Sequence, residues 1–132
     1  MAISSVGTPT AATGTASPIA GTWGSGQNRV PGNVLVAVVA FTATAGAGAT
    51  SQTAGTTGWV NLAEVGSAAT ALARTAIWWK PATGGDAAPS FSSTTSGTVA
   101  SFCTLYELSG ANGYVAVTTG TNAVSAGTVI TQ

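Results

Sequence analysis

The sequence predicts an all-β fold, a single antiparallel β-sandwich of jelly-roll-like character. Three observations carry this. Turn signals recur at roughly 8–12 residue intervals, the spacing of short strands in sandwiches and barrels. The segments between them are rich in Val, Ile, Trp, Tyr, Phe and Thr, which fit a pleated, half-buried surface. No amphipathic helix of useful length is present: residues 68–73 favour helix by propensity, but their β-branched and aromatic flanks outvote them.

Taken in order, residues 1–32 read as an N-terminal arm with short strands, and 33–132 as the sandwich; together they make one domain. The arm is rich in Gly, Thr, Ala and Pro, with strand candidates at Ala2–Val6 and within Ser17–Trp23. Gly24-Ser25-Gly26-Gln27-Asn28 and Pro31-Gly32-Asn33 are turn signals. Val34–Phe41 is continuously apolar, as expected of a strand covered on both faces or central in a sandwich. Residues 42–58 lack an apolar anchor and read as an exposed loop. Trp59–Val65 is the next strand candidate.

Ala69–Lys80 alternates with period two. Arg74, Trp78 and Lys80 lie on one face, Ile77 and Trp79 on the other. Pro81 ends this strand, and Gly84-Gly85-Asp86 turns the chain. Pro89–Ser93 is a short strand around Phe91, and Thr98–Leu108 is a long one. Asn112-Gly113 matches a tight hairpin turn, whose central residues both need positive φ. Tyr114–Thr118 and Thr128–Thr131 are the last candidates.

Charge is the unusual feature. Hydrophobic residues make up 45% of the 132-residue chain, but charged residues only 5%, against about 25% in soluble domains generally. The net charge is zero: Arg29, Arg74 and Lys80 balance Glu64, Asp86 and Glu107. No basic stripe exists to neutralise phosphates or hold an anionic membrane, so neither nucleic acid nor membrane is expected as a partner. A protein near zero net charge tends to self-associate, which fits a life inside an assembly.

Catalytic chemistry finds little to work with. The sequence has no histidine, so no Ser-His-Asp or Cys-His arrangement and no histidine zinc site is expected. Cys103 is the sole cysteine, sits in an apolar stretch and reads as a small buried hydrophobe. A glycosidase would need two carboxylates about 5–10 Å apart. Glu64 and Glu107 could meet across strands, but solvated surface charge is the default for each. Asp86 after two glycines is simply a turn residue. Gly46-Ala47-Gly48 lacks the third glycine, the helix and the lysine of a phosphate loop. No cofactor or metal is expected, and the chain reads as a non-enzyme.

Four tryptophans, Trp23, Trp59, Trp78 and Trp79, are many for this length. Adjacent Trp78 and Trp79 must point to opposite sides of a strand. One fills the core; the other meets a loop, a protein partner or a sugar. Trp23, Arg74, Trp78, Trp79 and Lys80 are therefore the candidate interface residues.

Gly32-Asn33-Val34-Leu35-Val36-Ala37-Val38-Val39, Gly58-Trp59, Ile77-Trp78-Trp79-Lys80, Gly84-Gly85-Asp86 and Leu105-Tyr106-Glu107-Leu108-Ser109-Gly110 follow one another in this order. The pattern resembles β-sandwich modules of tailed-bacteriophage virion proteins, over roughly residues 30–110. Asn33 stands where such modules commonly carry an acidic residue. The resemblance implies a virion accessory role, capsid decoration or a tail-associated module, and carries over no catalytic residues. The expected function is thus a capsid decoration (cement) protein on the outer virion surface, made in the host cytoplasm. It would bind the major capsid protein or other virion proteins as a homo-oligomer, a trimer among the options, with the N-terminal segment reaching a neighbour. The alternative is a carbohydrate-binding module of a tail tip or fibre, recognising host surface glycans.

Overall fold

The computed structural model describes residues 2–44, 50–52, 57–66, 73–94, 97–110, 117–122 and 125–130. These contain strands and no helix: β1 (Ser4–Val6), β2 (Ala11–Gly14), β3 (Ile19–Ala20), β4 (Val34–Ala43), β5 (Thr50–Gln52), β6 (Val60–Val65), β7 (Ala73–Pro81), β8 (Ser90–Ser93), β9 (Thr98–Ser109), β10 (Val117–Asn122) and β11 (Ser125–Ile130). The Asn112-Gly113 turn lies outside the described residues.

All pairings are antiparallel. The large sheet runs β1-β9-β4-β7-β6, with β2 beside β1 on the same edge of β9. A smaller sheet, β3-β8-β5, packs on one face of it, and β10-β11 form a hairpin next to β6. The chain is therefore an all-β sandwich. Val34–Ala43 is its central strand, long because its β-branched run is uninterrupted by Gly or Pro. Its burial alternates strictly: Leu35, Ala37, Val39, Phe41 and Ala43 are buried, and the residues between them are partly exposed.

The core lies between the two sheets. Leu35, Ala37, Val39 and Phe41 of β4 meet Ala76 and Trp78 of β7 and Cys103 and Leu105 of β9. Ile19 of β3 and Phe91 of β8 close it from the opposite sheet. Phe91 is fully buried. Its ring lies 6.0 Å from Trp59, edge to face, and 5.3 Å from Trp78, tilted, both favourable aromatic geometries. Trp78 turns inward because Ala37 stands opposite it and Ala76 two residues before it, leaving room for an indole.

The short strands expected in residues 1–32 are integral to the sandwich: β1 and β2 both pair with β9, and β3 pairs with β8. The 42–58 segment is not wholly loop, because β4 continues to Ala43 and β5 pairs with β8. Backbone pairing to Ser92 and Ser93 supplies there what side-chain hydrophobicity does not.

The 7–10 and 21–28 segments are packed backbone to backbone. Thr8 N donates to Ser25 O at 2.9 Å, and a Cβ on Gly24 would collide with the Thr8 carbonyl oxygen. Backbone cannot yield as a side-chain tip can. Gly24→Ala is expected to destabilise the fold by about 1–3 kcal/mol, the usual range for overpacking. A urea midpoint unchanged from wild type would contradict this.

Candidate functional site

The register of the large sheet assigns every side chain to a face. Inward-facing positions on β7 are Arg74, Ala76, Trp78 and Lys80, opposite the buried positions of β4. Three of the expected interface residues, Arg74, Trp78 and Lys80, therefore face the sandwich interior and its margins. Trp78 is core. Arg74 Nη1 lies 3.3 Å from Glu64 Oε1. Lys80 forms an ion pair with Asp86 that is largely shielded from solvent. Trp23 packs against the core, and its Nε1 donates to the Asp86 carbonyl at 3.1 Å. Arg29 lies over its ring, 5.6 Å from the centroid. Only Trp79 of the five reaches the outer face.

That outer face is the notable surface of the molecule. Cross-strand rows run Val60–Trp79–Val36–Tyr106, then Ala63–Ile77–Val38–Thr104, then Val65–Thr75–Ala40–Phe102. Val60, Val65 and Phe102 are 52%, 41% and 36% exposed. No carboxylate or cation stands in these rows. All six charged residues of the chain lie at described positions, and each is inward-facing or in a connecting loop. Between them Val36, Val38, Ile77, Trp79 and Tyr106 are partly exposed and Thr104 is buried; apolar surface of this kind is a candidate contact site.

The charged groups instead hold the sandwich ends together. Glu107 is fully buried beside Leu35, contrary to the solvated charge expected of it. Its carboxylate accepts from Arg29 N at 2.9 Å, Val30 N at 2.8 Å and Asn33 Nδ2 at 2.6 Å. Arg29 adopts φ 53°, a left-handed conformation. A left-handed residue aims successive N–H groups at one point, forming a nest for an anion. Here the anion is the chain's own carboxylate. Gln27 completes the lock: its side chain donates to Leu105 O at 2.9 Å and accepts from Gly24 N at 2.7 Å. Alternation offered a signal for Glu107: once Cys103 is placed inside, Leu105 and Glu107 share its face.

Asp86 does what a turn aspartate does and more. It accepts from Thr83 N and Thr83 Oγ1, each at 2.8 Å, and from Gly84 N at 3.2 Å. Burial alone would raise its pKa, but Lys80 and the Thr83 donors outweigh it and lower it to about 2. Burial likewise opposes ionisation of Glu107, and the hydrogen bonds from Asn33, Arg29, Val30 and Asn28 bring its pKa below the ordinary value. Cys103 is fully buried, as expected, and burial pushes its thiol up to about 12.

Both carboxylates bind their proton more weakly folded than unfolded. Their stabilisation is complete above the unfolded pKa values and is lost as pH falls through the folded ones. For Asp86, from 3.8 down to about 2, this is on the order of 2 kcal/mol. Melting temperature is expected to fall on acidification from about pH 5 to about pH 2, and less steeply in Asp86→Asn. Identical profiles would show that Asp86 titrates with no influence on folding.

Glu64 and Glu107 do not form a catalytic pair. They lie on β6 and β9, with β7 and β4 between them. Three strand spacings alone separate them by roughly 14 Å. The described residues also form an open groove of about 510 Å³, lined by Thr15, Ser17, Ser92, Ser93, Thr94 and Thr98 among others. It offers hydroxyl groups but neither charge nor aromatic ring.

No family model matches the chain, and no curated protein or solved structure matches it either.

Proposed function

We propose that the protein is a bacteriophage virion structural protein, a capsid decoration protein that binds the major capsid protein on the outer shell. The observation that carries its adhesive character is the charge-free, apolar outer face of the large sheet around Trp79, Val38 and Phe102. Such a face has value only when a neighbour covers it, and an ordered assembly supplies neighbours at high local concentration. The phage assignment itself draws on the resemblance of residues 30–110 to virion modules.

Binding would be by burial, worth roughly 25 cal/mol per Å² of apolar surface before association costs. Each contact is modest, and repetition over a shell multiplies it. The carbohydrate alternative draws less support from the geometry. Trp79 is flanked by Val36, Val60 and Ile77, whereas a sugar platform needs polar groups beside the ring to fix its hydroxyls.

Mass spectrometry of separated phage heads and tails tests the reading. The protein is expected with the heads, at a copy number matching shell symmetry. Recovery only with tails, or absence from virions, would overturn it. A gain in the heat resistance of bare heads on adding purified protein is the second expected result.

A further inference from the structure

We infer that the outer face of the large sheet is a self-association surface, and that its occupant is the same face of a second copy of this chain. The inference rests on the adhesive reading above and assigns that face to a second copy rather than to the capsid protein, so that contact with a shell would fall to the remaining surface of the dimer.

Charge argues for it first. A partner for this face must bring no unpaired charge, because burying one without a counter-ion is costly. The rows of Trp79, Ile77, Val38, Val36, Phe102 and Tyr106 offer none. A second copy meets the same requirement with the same residues. At zero net charge, the copies also approach without long-range repulsion.

Shape and area agree. The sheet is five strand positions wide, counting β1 and β2 as one. At about 4.8 Å per strand and about 3.3 Å per residue over some seven residues, the face covers roughly 550 Å². Two copies would bury roughly 1,100 Å² together, which clears the roughly 1,000 Å² threshold of a biological interface and lies at the weak end of the range. Twisted antiparallel sheets stack face to face with their strands within about 30° of each other. A two-fold axis through the face makes the contact self-complementary, each residue meeting its counterpart's surroundings. Among the described elements, β11 lies against β6 at the margin of this sheet.

Analytical ultracentrifugation of the full chain tests this. The expected species at micromolar concentration has twice the 12.7 kDa chain mass. Val38→Lys puts a cation at the centre of the face and should weaken the dimer at least tenfold. Phe102→Lys should do the same at a side chain already 36% exposed, so it serves where the first variant fails to fold; far-ultraviolet circular dichroism reports folding of both. A monomeric wild-type protein overturns the inference, as does a trimer, or a dimer that folded Phe102→Lys leaves unchanged. The head-binding assay separates this from the functional reading. A dimer that ignores phage heads sinks the decoration role alone. A monomer that coats them sinks this inference alone.

Discussion

Replacing Glu107 by alanine is expected to cost about 3–5 kcal/mol of folding stability. The carboxylate is the common acceptor for Arg29 N, Val30 N and Asn33 Nδ2. Its removal leaves those part-buried donors without their acceptor. Each unsatisfied buried donor costs about 1–3 kcal/mol. Arg29 would also keep its left-handed backbone without the interaction that favours it. Glu107→Gln keeps one acceptor oxygen but turns an amide donor toward an N–H. It is expected to fall between wild type and alanine, at about 2–3 kcal/mol. Urea denaturation checks both, with a constant slope confirming that folding stays two-state. An alanine variant within about 1 kcal/mol of wild type would mean that the 28–33 loop is held by other means.

Phe91→Ala is expected to be of the same size, about 3–5 kcal/mol, for a different reason. Phe91 is the side chain through which the small sheet grips the large one: Trp59 meets its edge and Trp78 leans on it. No neighbour can collapse into the space, because Ala76 and Ala37 are short and their strands are fixed by pairing. The cavity term therefore adds to the lost transfer energy. Against a typical total of about 5–15 kcal/mol, either substitution brings the protein near the limit of folding. Phe91→Leu should recover more than half of the loss, since it refills most of the volume. If alanine and leucine lost equally, aromatic geometry rather than volume would be the stabilising factor.

Much of the sandwich is legible in the sequence, β7 from alternation and β4 from its uninterrupted apolar run. β4, β7 and β9 emerge where apolar and β-branched residues are dense, and the opposition of Trp78 and Trp79 follows from the pleat alone. Which indole turns inward was not readable. It depends on register: Ala37 opposite Trp78 makes space that Val36 opposite Trp79 does not. Arg74 and Lys80 share the face of Trp78, as alternation predicts, and with it they turn inward and form ion pairs with Glu64 and Asp86. β5 escaped because Thr50–Gln52 owes its place to pairing with β8. The outer apolar face escaped too, because it exists only once four strands lie side by side.

The placement of all six charged side chains on the inward side of the strands or in loops has a kinetic corollary. A protein with three cations and three anions, four of them in ion pairs, gives an approaching molecule little field to follow. Its encounters with any neighbour should run at the unsteered rate, about 10⁵–10⁶ M⁻¹s⁻¹, and hardly change as counter-ions are added. Productive collisions are then selected by fit alone, and speed must come from abundance.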